Sequence, residues 1–189
     1  MRKNFLRIIL FVAGGLLLGA SAFFALKEYS AALPESGKIA EALEAVIPGR
    51  TDGTLEERGS YSMPVYSYKG VNYSGILSCE QMGVTLPVLA EWDKRLAKTI
   101  PAKFSGSTWE GTLIIGGGSN VLGFITDLSE GDKVCFTDMN GTVFEYKVTK
   151  IRHTVSATPD KLSSKAAHLV LFTKLRQSSK YAVAELVMV

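Results

Sequence analysis

The chain has 189 residues, 47% of them hydrophobic, 10% aromatic and 21% charged. That suits one ordinary domain with an appendage and excludes a disordered, collagen-like or disulfide-stapled protein. Arg2, Lys3 and Arg7 account for the whole net charge of +3. The rest of the chain is balanced and has no electrostatic footprint for nucleic acid, so no nucleic-acid partner is expected.

No charged residue lies between Ile8 and Leu26, a run of 19 residues. As a helix it would reach about 28 Å at about 1.5 Å per residue, close to the hydrocarbon thickness of a bilayer. Basic residues precede it and Lys27-Glu28 follow. This predicts a single-pass cell-membrane protein: residues 1–7 a cytoplasmic basic tail, 8–26 a transmembrane signal-anchor, and the remainder extracellular. Ala20-Ser21-Ala22 also fits a signal-peptidase site, so cleavage after Ala22 is the alternative. The length of the apolar run favours the uncleaved anchor.

Residues 27–60 read as a helix and a linker. Ile39, Leu43, Val46 and Ile47 share one face of a helix over Ser36–Ile47, which Pro48-Gly49 ends. Arg50–Ser60 is polar and glycine-bearing, as a linker is. Residues 61–189 form the domain, and glycine (18 residues against 6 prolines) points to strands and turns.

Val65–Tyr68 and Val71–Leu77 flank Lys69-Gly70, a hairpin candidate, and Val84–Leu89 follows with Pro87 near its end. Trp92–Leu96 reads as one or two helical turns. The apolar run Thr112–Ile115 stops at Gly116-Gly117-Gly118, which lacks the Gly-Lys-Ser/Thr of a phosphate loop and reads as a flexible strand end. Lys133–Thr137 and Val143–Ile151 bracket Asn140-Gly141, the strongest hairpin signal in the chain. His168–Phe172 and Tyr181–Val189 supply two more strands. Seven or eight short strands with few helices predict a mainly β protein, a closed or nearly closed β-barrel.

Cys79 and Cys135 make no disulfide framework, and whether they pair is open. His153 and His168 are the only histidines, with no CxxC or HxxxH spacing, so neither a metal nor a cofactor is expected. His153 falls on a loop after the hairpin, and His168 at a strand start.

In the order Met63-Pro64-Val65, Val71–Leu77, Gly83–Val88, Phe104–Ser107, Leu128–Val134 and Phe136–Tyr146, the chain resembles the sortases, membrane-anchored cysteine transpeptidases of Gram-positive bacteria. The resemblance covers about 140 residues and implies a sortase-like barrel of seven or eight strands. It also implies a groove for an extended peptide, the sorting signal of a surface protein or pilin.

Sortase chemistry uses a cysteine thiolate to attack a threonyl carbonyl, a histidine to move protons and an arginine to steady the oxyanion. Here Ile114-Ile115-Gly116-Gly117-Gly118-Ser119 stands for the histidine segment, and Val170-Leu171-Phe172-Thr173-Lys174 for the cysteine segment. Lys180 or Tyr181 stands at the arginine, with Lys180 favoured. The resemblance therefore implies that Gly118, Lys174 and Lys180 replace all three groups. It yields an inactive pseudo-sortase that binds a cell-wall protein, a pilin or a partner sortase. The alternative is an active transpeptidase or hydrolase with Lys174 as nucleophile, which would need desolvation or a cationic neighbour such as Lys180 to activate the amine. A structural barrel with no groove function is a third reading. The segment Thr154–Ala167 resembles the variable loop over the sortase groove.

Overall fold

The computed structural model describes residues 36–49, 51–52 and 62–189. The basic tail, the anchor run Ile8–Leu26 and Ala22 lie outside the described residues. Among those described, no helix is long and apolar enough to cross a membrane.

Helix α1 covers 36–44, three residues shorter than expected. It lays Leu43 on the outer surface of the barrel against Tyr73, Ile76, Leu89 and Met139. Because the chain turns after residue 44, Val46 leaves the shared face and is 45% exposed. The polar stretch read as linker contains a short strand, β1 (Thr51–Asp52), which pairs in parallel with Thr142–Val143.

Nine further strands follow: β2 (Tyr66–Tyr68), β3 (Val71–Cys79), β4 (Val84–Leu89), β5 (Ala102–Ser105), β6 (Leu113–Gly117), β7 (Lys133–Asp138), β8 (Thr142–Thr154), β9 (Leu169–Lys174) and β10 (Tyr181–Met188). Eight of them close a ring in the order β3, β4, β5, β6, β9, β10, β8, β7 and back to β3. β2 is an extra strand on β3, turned through Lys69 and Gly70, both at positive φ. Pro87 pairs with Ile76 in mid-strand, not near an end. It is tolerated there because β4 meets β5 only at Leu89, leaving the other edge of β4 without a ladder. β5 was not foreseen. Trp92–Leu96 opens one helical turn, in which Asp93 Oδ1 accepts from the N–H groups of Arg95 and Leu96, and a 3-10 turn then runs from Leu96 to Lys98.

The period-two pattern sets the inside and the outside of the barrel. Leu77, Val88, Ile115, Phe136, Phe144, Tyr146, Leu171 and Ala184 fill the lumen. The alternate residues of β6, β9 and β10 form a second apolar layer outside it, made of Ile114, Val170, Phe172 and Val183. Helix α2 (Pro159–Leu162) lies in the β8–β9 connection and buries Leu162 in this outer layer. His153 lies within β8 opposite Ala182, not on a loop. His168 sits just before β9, where its Nδ1 accepts a hydrogen bond from the Met188 N–H at 2.9 Å.

Candidate functional site

Three strand ends meet at one end of the barrel. Parallel pairing of β6 with β9 sets Gly116 beside Phe172 and Gly117 beside Thr173. The next positions, Gly118 and Lys174, are therefore neighbours on the outer face. Thr173 Oγ1 donates to the Gly117 carbonyl at 2.9 Å and locks this register. Antiparallel pairing of β9 with β10 puts Tyr181 opposite Lys174. Of the two residues considered for the third place, Tyr181 thus shares the outer face with Lys174. Lys180 precedes it in the turn, where its carbonyl accepts from the Leu175 N–H at 3.0 Å.

The glycine triplet is packed, not a flexible strand end. Gly116 and Gly117 belong to β6. A Cβ on Gly116 would meet the rings of Phe172 and Trp92, and one on Gly117 the side chain of Leu122 at 3.1 Å. At Gly118 the obstacle is backbone: an added Cβ would lie 2.5 Å from the Lys98 carbonyl oxygen and 2.6 Å from Asn120 Oδ1. The Gly118 N–H also donates to the Ala97 carbonyl at 2.7 Å. The turn at residues 96–98 is therefore seated against the strand end and leaves no room for an imidazole.

Aromatic rings cover the floor next to these ends. Trp92 stacks on Phe172 with ring centroids 5.8 Å apart, and Phe104 meets both edge-on at 5.0 and 5.2 Å. Tyr181 closes the cluster 6.3 Å from Phe172. Trp92 is 38% exposed, so the rim of this layer is open apolar surface. On the other side Arg152 pairs with Glu185 and donates from Nη2 to the carbonyls of Lys161 and Leu162. That ties the segment carrying α2 over the outer face.

Lys174 is exposed and lines an open depression with Ser119, Leu175, Arg176, Gln177, Ser178 and Ser179. None of these residues is acidic. Arg176 Nε donates to Ser119 Oγ at 3.4 Å. Gln177 holds a left-handed backbone, φ 53°.

No thiol stands near. Ser78 pairs with Cys135 across β3 and β7, so Cys79 is one step out of register with Cys135 and faces the opposite side of the sheet. Both cysteines are free. Burial pushes both thiols up, with Glu145 adding to the effect at Cys135, so neither is a ready thiolate. Among the described residues, no three His, Cys, Asp or Glu side chains converge as metal ligands would. The signal that sequence reasoning missed is Trp92, whose ring reaches Phe172 from far along the chain.

No protein-family model matches the chain, and no curated protein matches it. Solved structures do. Sortase C1 of Streptococcus agalactiae superposes with a TM-score of 0.56 at 16% identity, covering 65% of this chain and 70% of its own. The chain has the sortase fold. Sortase A of Listeria monocytogenes gives a TM-score of 0.53 at 20% identity, covering 62% and 87%. Sortase E1 of Streptomyces coelicolor, solved with a tripeptide in the active site, gives 0.51 at 16%, covering 62% and 88%. At these identities the likeness is one of fold. The sortase barrel accounts for the closed eight-strand ring, while the residues at its strand ends are this chain's own.

Proposed function

We propose that this is a membrane-anchored extracellular sortase-like protein that lacks thioester chemistry. It binds an extended peptide of a cell-wall protein, a pilin or a partner sortase at the part-exposed rings beside the ends of β6 and β9. The observation that carries this reading is the closure at Gly118, where the Lys98 carbonyl oxygen occupies the space of any side chain. A site that has lost its proton carrier and filled the gap with backbone is built to hold, not to turn over. The apolar rim at Trp92, Phe104 and Tyr181 gives an extended peptide something to pack against. The tripeptide bound to the Streptomyces coelicolor sortase supports a peptide as the ligand class.

The reading with Lys174 as nucleophile has less support. Lys174 is exposed, so nothing around it desolvates the amine. The test incubates the full chain with a panel of sorting-signal peptides and follows products by mass spectrometry and Trp92 fluorescence. The expected result is a fluorescence change with no cleavage and no adduct. Cleavage that disappears in Lys174→Ala would establish the alternative. The double substitution Gly118→His with Lys174→Cys is expected to restore no transfer, because the imidazole cannot enter without moving the turn at 96–98.

A further inference from the structure

The chain enters the described fold at one end of the barrel. Ser36, the first described residue, donates from Oγ to the carbonyl of Thr99 at 3.1 Å. Thr99 closes the turn at 96–98 that is seated against Gly118. Nine residues separate Ser36 from Leu26, the end of the uncharged run, and even fully extended they keep the two within about 36 Å. The surface at this end is basic. Lys94, Arg95 and Lys98 are exposed on the turn, and Lys174, the neighbour of Gly118, and Lys180 continue the patch across the strand ends. None of the five makes an ion pair among the described residues. Glu91 and Asp93 are the acids beside them, and Asp93 is turned to its own backbone through the N–H groups of Arg95 and Leu96. Trp92 is exposed among these cations. Cations around an exposed indole, on the face where an apolar run joins the fold, match an anionic bilayer. Lysine and arginine are drawn to its headgroups, and a tryptophan ring settles at that depth.

We propose that this end of the barrel docks on the membrane that holds the anchor, with Lys94, Arg95, Lys98 and Lys174 on anionic lipid headgroups and Trp92 in the headgroup layer. The inference rests on the membrane-anchored part of the proposed function and adds an orientation to it. The ring cluster opens toward the bilayer, and a peptide reaches it along the headgroups. No bond is made or broken.

The experiment reconstitutes the full chain into vesicles of phosphatidylcholine, alone or with about 30% phosphatidylglycerol, each carrying a lipid with a nitroxide on its headgroup. Tryptophan quenching reports contact with the headgroup layer, and the other tryptophan, Trp109, is partly buried against Phe144. Quenching should be about threefold greater with phosphatidylglycerol, and the difference should vanish as salt rises from about 50 mM to about 500 mM. Trp92→Phe should lose the difference. So should Lys94→Gln combined with Arg95→Gln and Lys98→Gln. An equal loss of charge from β7 and β8, Lys133→Gln with Lys147→Gln and Lys150→Gln, should keep it. Equal quenching in both vesicles, from a chain that resists an alkaline wash, overturns the docking and leaves the anchor intact. Should soluble polyphosphate then bind the native chain and not the 94, 95 and 98 variant, the patch serves a polyanion in solution. A chain that the wash strips from both vesicles overturns docking and anchor together. A difference that survives Trp92→Phe or the 94, 95 and 98 variant, or is lost equally in the β7 and β8 variant, overturns the assignment of this surface.

Discussion

Two hairpins of the same barrel are built to opposite ends. In the β7–β8 turn, Asp138 is fully buried and its Oδ1 accepts from the N–H groups of Asn140 and Thr142, both at 2.9 Å. Gly141, at φ 86°, lies under the carbonyls of Pro48 and Gly49. In the β9–β10 turn, Arg176, Gln177, Ser179 and Lys180 all face solvent. Its left-handed residue is Gln177, which has a side chain to accommodate. The first turn spends its polar groups on its own backbone. The second uses Ser178 Oγ to accept from the Lys180 N–H at 3.1 Å, turns its charged groups outward and keeps a left-handed residue that is not glycine.

The contrast is sharpest at the glycines. Gly141→Ala should cost about 3 kcal/mol, since it combines a positive φ with a Cβ 2.7 Å from the Pro48 carbonyl oxygen. Urea unfolding measures it, and a loss below about 1 kcal/mol would show that the first turn is not packed as described. Gly118→Ala should cost about 2 kcal/mol, from the Lys98 carbonyl alone. A neutral result there would mean that the turn at 96–98 yields readily.

Asp138 separates the hairpins by pH. Burial raises its carboxyl above the ordinary value of 3.8, with the turn N–H groups opposing the rise. The folded chain therefore holds this proton where the unfolded chain has released it, and the Asp138 contribution to stability declines as pH climbs through that window. Melting curves from about pH 4 to about pH 7 should show this decline in the native chain and not in Asp138→Asn. An unchanged slope in the variant would assign the decline to other groups. The smallest effects belong to the second turn. Gln177→Gly should stabilise by about 0.5–1 kcal/mol, and Lys174→Gln should stay within about 0.5 kcal/mol. A large loss in either would show that the exposed turn holds the barrel together.

The β7–β8 hairpin was legible in the sequence. Asn140-Gly141 marks the turn, and Phe144, Tyr146 and Val148 alternate inward as the period requires. The closed ring followed from the number of short strands and from the resemblance to sortases. Local pattern could not show β5, which has four residues with a bulge and meets β4 at one pair only. Nor could it show β1, two residues in a polar stretch. At the candidate site, the order of segments pointed to Gly118 and Lys174. The choice between Lys180 and Tyr181 needed strand register, which a hairpin of this length leaves open. The packing of the triplet was invisible because the groups that press on it, Trp92, Lys98 and Phe172, come from other parts of the chain.

The seating of the Lys98 carbonyl against Gly118 also bears on which substitutions the chain tolerates. Any single substitution that gave residue 118 a side chain would meet the Lys98 carbonyl, so its first effect would be on packing. A larger residue there would require the neighbouring loop to be remodelled first, so position 118 and the turn at 96–98 can change only together.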